Sequence, residues 1–471
     1  MINRTFLLII FQVFLLQNAS ASFQDTLFKE IIDKNKGENV IFSPLSFYQV
    51  LSLVLNGAGG KTREETFKVL FPDKDLDEEL IKDINSNLEK IVKVIESENN
   101  GQADNKVIFN NVNALFYRED ISFKDGFKQI WTQYNTSYFK LESLEQVNNY
   151  VSDHTNGKIT DFLDTIDDAL FMIINALYFK GSWDKKFNES LTTKRAFKNS
   201  NGTVKVDTMY QEYEDGLYYE DEKVQMFSLP YSYDNLPYKM TIILPNEKKY
   251  SSPMDYLNEE KINFHEISSK LEYKNNIHLY LPKFKYALKI NAIPILMKLG
   301  MISAFTGDAD FSNLVNSACF ISKFYQKTYV DLNENGTEAA AATVAVFTNS
   351  TGPIKFDDIQ RYMHVNHSFI YMIESNEIKD TDNNNIMPFV GIVNYIEGEK
   401  DTSGNNPPGN EEPKNSTIEE PPDDTTDEST DEPRKFLPRN LGNNIKASFG
   451  IICFILLSYL WFYSRWYIWK L

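Results

Sequence analysis

Apolar side chains recur with a helical period in FQDTLFKEIIDK, Phe23 to Lys34, which predicts an amphipathic helix. FYQVLSLVLNGAG follows a Ser43-Pro44 start and meets its stop at Gly57, which predicts a second helix. Further along, the pattern changes. LFMIINALYF (170–179), KMTIILP (239–245), IHLYLPKF (277–284) and SFIYMI (368–373) are short apolar runs that predict strands. The unbroken run from Leu170 to Phe179 fits a strand buried on both faces. No internal repeat and no Pro/Gly linker divides residues 22–397, so they are read as one body. Helices first and strands later indicate an α+β domain rather than a regular alternation.

The two ends have different patterns. Residues 1–21 combine Arg4, an apolar stretch from Phe6 to Leu16, and Ala19-Ser20-Ala21, the three-part layout of a secretory signal cut after Ala21. An uncleaved anchor is the alternative, disfavoured by the short apolar run. Residues 398–446 are rich in Pro, Asn, Ser, Thr, Asp and Glu; they bury too little apolar surface to offset ordering entropy and predict an extended acidic stalk. Ala447 to Tyr463 is near the lower length limit for crossing a bilayer and predicts a membrane helix, with 464–471 as a short cytoplasmic tail. Trp461, Tyr463, Trp466 and Trp469 suit the interface, and Arg465 and Lys470 the cytoplasmic side. A lipid-anchor signal around Gly442 to Asn444 is the alternative, with too short a spacer. These readings put the body outside the cell on a single-pass tether, or in shed form.

Composition narrows the chemistry. The net charge of −18 argues against a nucleic-acid partner, whose phosphates need Lys and Arg clusters. There are two cysteines: Cys453 falls in the predicted membrane helix, and Cys319, lacking a partner, reads as a small buried hydrophobe. GAGGKT, Gly57 to Thr62, resembles the end of a phosphate-binding loop, but Leu55 stands where that motif needs a glycine, so it reads as a helix-ending turn. No HExxH, GxSxG or paired-cysteine spacing occurs. Of the histidines His154, His265, His278, His364 and His367, only the last two are close, and the strand-like run after them favours ordinary polar contacts. Neither catalysis, a metal nor a cofactor is expected.

ENGTEAAAATVAV, Glu334 to Val346, is the unusual stretch. Its alanines favour a helix, Thr343, Val344 and Val346 favour a strand, and Gly336 is a natural hinge. As a strand it would present Thr337, Ala339, Ala341, Thr343 and Ala345 as one row of small side chains, able to pass into a tight interior. Glu338, Ala340, Ala342, Val344 and Val346 would form the other row.

Several stretches, in order, resemble the serpins over nearly the whole body. NVIFSPLSF (39–47) is similar to the family's early Ser-Pro motif, and INALYFKGSWDKKF (174–187) to its central strand and tryptophan turn. YLPKF, LGMISAF and DADFSNL follow, then DLNENGTEAAAAT (331–343) at the mobile hinge and PFVGIV (388–393) at the last strand. The resemblance implies a large central mixed β-sheet with surrounding helices and an exposed reactive-centre loop. It also implies suicide inhibition of serine proteases: the loop is cut, an acyl-enzyme forms, and the freed strand enters the sheet.

Carried over position by position, the resemblance makes Glu334, Gly336, Thr337, Glu338, Ala339, Ala340, Ala341 and Ala342 the hinge. Ser43, Ser46 and Asn175 become the gate beneath the sheet, with Trp183 at the top of the opening. Counting forward by the family's hinge spacing puts the reactive bond at Ser350-Thr351; counting back from Phe369 points nearer Lys355. The chain departs from the family pattern at Gln326, where a histidine is usual, at Pro388, and in the long segment 352–367. Sequons at Asn135, Asn188, Asn201 and Asn415 are expected to carry glycans, and those at Asn335 and Asn349 to stay bare; Asn366 is a further sequon. The expected partners are a serine protease and a membrane, and the expected state is a monomer. A non-inhibitory serpin acting as a surface binding or carrier protein is the alternative.

Overall fold

The computed structural model describes residues 22–99, 107–118, 121–232, 237–260, 264–337, 359–379 and 385–400. Helix α1 (Phe23–Lys34) starts on a reciprocal cap between Ser22 and Asp25 and buries Leu27, Phe28, Ile31 and Ile32 at helical spacing. Strand β1 (Val40–Phe42) leads into α2 (Pro44–Gly57), whose cap is Ser43 with Pro44 at the first position. Its end at Gly57 agrees with the sequence reading, and GAGGKT is the join to α3 (Gly60–Leu70). Helix α4 (Glu78–Asn99) turns Ile81, Ile84, Leu88, Ile91 and Ile95 to the core.

The first half then departs from the expected order. Strand β2 (Ile108–Tyr117), helix α5 (Asp125–Gln133), strand β3 (Thr136–Lys140) and helix α6 (Leu144–His154) come before the central strand β4 (Phe171–Ser182). Asn110, Asn111 and Asn113 break the apolar pattern of β2 and hid it. Strand β4 is buried along nearly its whole length, as the unbroken run predicted.

Strands β5 (Thr193–Asn199), β6 (Gly202–Glu220), β7 (Val224–Pro230) and β8 (Tyr238–Pro245) follow, then helices α7 (Pro253–Glu259) and α8 (Phe264–Lys270). The remaining elements are β9 (Glu272–Pro282), β10 (Phe284–Asn291), α9 (Ile293–Lys298), β11 (Lys323–Asn333), β12 (Gly336–Thr337), β13 (Arg361–His364), β14 (Phe369–Lys379), β15 (Asn385–Val393) and β16 (Glu399–Lys400). Two sheets result. One runs β1-β15-β14-β8-β7-β6-β9-β13 with β5 and β16 also on β6; the other runs β10-β11-β12-β4-β2-β3. Helix α2 packs under the second sheet, and α6 with the loop after it covers the opposite face through Val147, Val151, Ile159 and Phe162.

Cys319 is half-buried against the core rather than enclosed. His364 stacks on Tyr280, and His367 Nε2 lies 2.8 Å from the Pro245 carbonyl. Among the described residues, no helix is long and apolar enough to cross a membrane. Residues 1–21, 401–446, 447–463 and 464–471 lie outside the described residues, and with them Cys453 and Asn415.

Candidate functional site

Strands β4 and β11 run parallel and pair from Met172 opposite Lys323 to Tyr178 opposite Tyr329. Beyond that point they separate, and β12 lies between them, antiparallel to both. Thr337 stands opposite Leu332 on one side and Gly181 on the other; Gly336 stands opposite Asn333 and Ser182. Only glycine fits here. Gly336 has φ +147°, and a Cβ on it would come within 2.0 Å of the Gly181 carbonyl oxygen. A Cβ on Gly181 would in turn meet the Tyr231 ring at 2.8 Å. The sequence reading kept the whole alanine-rich strand outside the sheet. The structure differs: its first two residues are already in.

A set of side chains closes over this short insertion. Trp183 and Tyr231 stack at 4.6 Å with their planes 15° apart, both fully buried. The Trp183 indole N–H donates to the Asn333 carbonyl at 3.0 Å, and its backbone N–H to the Asn335 carbonyl at 3.0 Å. The Tyr231 and Thr337 hydroxyls are 2.7 Å apart. Glu334 is buried yet ionised: Lys283 lies 2.9 Å from one carboxylate oxygen, and Thr192 donates to the other at 2.8 Å. Burial alone would push its pKa up, but the Lys283 ammonium, its own backbone N–H and the Thr192 hydroxyl outweigh that and hold it below the ordinary carboxylate value.

Lower down, a chain of neutral groups crosses the seam between β4 and β11. The Ser43 backbone N–H donates to Gln326 Oε1 at 2.9 Å, and Gln326 Nε2 donates to Asn175 Oδ1 at 2.7 Å. Asn175 Nδ2 donates to the Ser46 hydroxyl, to Asn113 Oδ1 at 2.5 Å and to Asn111 Oδ1 at 3.1 Å. Ser46 also donates to Asn111 Oδ1 at 2.6 Å, and Asn111 Nδ2 reaches Gln49 Oε1. Ser43, Ser46 and Asn175 are thus brought together, with Ser43 also capping α2. Gln49, Asn111 and Asn113 were missed. Their signal was three asparagines in the otherwise apolar IFNNVNALFY.

On the outer face, Lys327 donates to the Asp161 carbonyl at 2.6 Å and so pins the loop after α6 across the seam. Burial, then the nearby Lys289, pushes the Lys327 ammonium below its ordinary value. Of the hinge, Glu334, Gly336 and Thr337 are described. Glu338, Ala339, Ala340, Ala341, Ala342, Ser350, Thr351 and Lys355 lie outside the described residues, as does Asn349. Asn135, Asn188 and Asn201 are exposed, whereas Asn335 and Asn366 are half-buried.

A sheet with a strand's first two residues seated between parallel neighbours is the geometry of a protein that accepts an extra strand. A family profile described as "Serpin (serine protease inhibitor)" matches residues 18–394, and the chain belongs to that family. It is 30% identical over 383 residues to the leukocyte elastase inhibitor of Xenopus laevis, covering 77% of this chain and 96% of the relative. It is 31% identical over 364 residues to serine proteinase inhibitor 1 of variola virus, covering 74% and 92%. Among solved structures, native tengpin, a thermophilic serpin, superposes with a TM-score of 0.66 at 29% identity, covering 80% of this chain and 92% of that one. The α+β fold with its large mixed sheet is therefore a serpin fold, and protease inhibition is the family's general activity.

Proposed function

We propose that this chain is a membrane-tethered serpin that traps serine proteases in mid-reaction. The observation that carries the reading is β12, with Gly336 and Thr337 between β4 and β11 in the register a longer strand would continue. Behind Thr337 the inward row is Ala339, Ala341, Thr343 and Ala345, small enough to pass into a packed interior. A target's serine attacks the Ser350 carbonyl, the Thr351 amine leaves, and the acyl bond holds the enzyme while the strand follows Thr337 inward. Each ladder hydrogen bond gained contributes about 1 kcal/mol net, so the uncut form is held back by a kinetic barrier. In this reading Asn175, Ser43, Ser46 and Gln326 form the gate, Trp183 guards its top, and Lys355 is the alternative reactive position.

The ends complete the proposal. Residues 1–21 direct secretion, 398–446 form the stalk and 447–463 the anchor, with glycans on Asn135, Asn188, Asn201 and Asn415. The test is incubation with a panel of serine proteases followed by denaturing electrophoresis. A covalent band heavier than either partner is the expected result, and Thr337→Arg should give cleavage with no such band. Clean cleavage of the wild type by every protease that cuts it, with no band, would overturn the reading. Retention in membranes after alkaline washing, lost on removing residues 447–471, tests the anchor separately.

A further inference from the structure

A cleft of 340 Å³ opens between the end of α4, strand β2 and helix α6, at the lower end of the size range of ligand pockets. Its floor is the far end of the neutral chain described above. Gln49 and Asn113 both line it, and they are 4% and 3% exposed. Each has its oxygen engaged, Gln49 by Asn111 and Asn113 by Asn175. Among the described residues, neither the Gln49 Nε2 nor the Asn113 Nδ2 donates a hydrogen bond, so two buried amide donors face the cleft without an acceptor. Unmet donors at such depth carry a desolvation cost that an occupant's oxygens would relieve.

The walls define the occupant. Tyr150, fixed against Phe116, Phe139 and His154, offers a ring face. Glu96 and Asp153 stand nearer the mouth as acceptors. Among the described residues no lysine or arginine lines the cleft, which disfavours an anion. Neutral amides, carboxylate acceptors and an aromatic face together suit a compact, uncharged molecule rich in hydroxyls. The sequon Asn135-Thr136-Ser137 adds an independent pointer, because Asn135 and Ser137 both line the same cleft.

We propose that this cleft binds a neutral saccharide of one or two rings, and that its occupancy holds the β4–β11 seam closed. The second half rests on the proposed function. The sugar comes either from the chain's own glycan on Asn135 or from free saccharide. The link to the seam is direct. An acceptor on Gln49 and Asn113 fixes the groups that hold Asn111, Ser46 and Asn175, and Asn175 in turn holds Gln326 on β11. Parting β4 from β11 requires these strands to slide over α2, so a ligand bound to the closed arrangement raises the barrier.

The test uses the full chain from a host that does not attach N-glycans, titrated by calorimetry with N-acetylglucosamine, its β-1,4 dimer and glucose. Saturable binding in the millimolar range is expected, weakened about tenfold by Gln49→Met. If that variant does not fold, Asp153→Asn at the exposed rim should weaken binding severalfold. Failure of all three sugars to bind overturns the site. Protein from a glycosylating host distinguishes the sources: blocked binding restored by Asn135→Gln identifies the internal glycan, and equal binding identifies free sugar. Either pattern supports the site. For coupling, a fluorescent peptide copying residues 337–350 should anneal to the sheet severalfold more slowly with sugar bound; an unchanged rate overturns the coupling. If the peptide anneals under no condition, the proposed function fails, while calorimetry still decides the site.

Discussion

The seam between β4 and β11 is held in two chemically different ways. At its top, an aromatic stack, a buried ion pair and two facing glycines grip the two residues of β12. In its middle, where no strand has entered, serines, asparagines and glutamines tie β2, β4 and β11 to α2 without a formal charge among them. The difference follows from what each place must do. The top holds a backbone that has arrived, and shape with charge fixes its register. The middle must be released, and a chain of neutral hydrogen bonds opens without stranding an ion in the interior.

The largest expected effect comes from the middle. Asn175→Leu leaves Gln326, Ser46 and Asn113 without their common partner and should cost about 3–5 kcal/mol in urea unfolding. A loss no larger than that of a surface substitution would show that the network is not what holds the strands. Next comes Gly336→Val at the top. No relaxation accommodates its Cβ against Gly181, so β12 should leave the sheet at a cost of about 2–3 kcal/mol. Faster amide exchange at Ser182 and Trp183 would report it.

The ion pair is a smaller matter because Lys283 is partly exposed. Lys283→Met should cost about 1–2 kcal/mol at neutral pH. Its pH dependence has a definite sign. Glu334 has a lowered pKa in the folded protein, so its stabilisation is complete above the ordinary carboxylate value and is lost as pH falls through the lowered one. The gap between wild type and variant should close over that acidic range; a constant gap would mean that Glu334 is not ionised. Smallest at neutral pH is Gln326→His, at under about 1 kcal/mol, since a neutral imidazole can replace the amide. Below the ordinary imidazole range, however, this variant should lose stability that the wild type keeps. Parallel pH profiles for the two would break the contrast drawn between top and middle.

How far the sequence could be read follows the same division. The bounds of α1, the stop of α2 at Gly57 and the buried run of β4 came from local patterning, and the structure agrees. The positions of Ser43, Ser46, Asn175 and Trp183 came from resemblance, not periodicity. Tyr231, Lys283 and Thr192 were not foreseen, because each lies in a different part of the chain and acts only where the fold brings it against the hinge. The asparagines of β2 were visible but misleading. They looked like interruptions of a strand, and they are its inward contacts with the gate. The two seated residues of the hinge could not be read at all, since Gly336 suits a loop as well as a slot.

One consequence of strand direction remains. Because β4 and β11 point the same way, their slanted bonds form the slightly weaker kind of ladder. A chain threading down between them from Thr337 runs opposite to each and turns one parallel junction into two antiparallel ones. The drive toward completion is thus written into polarity, and it would persist even if every side chain along the track were pared to alanine.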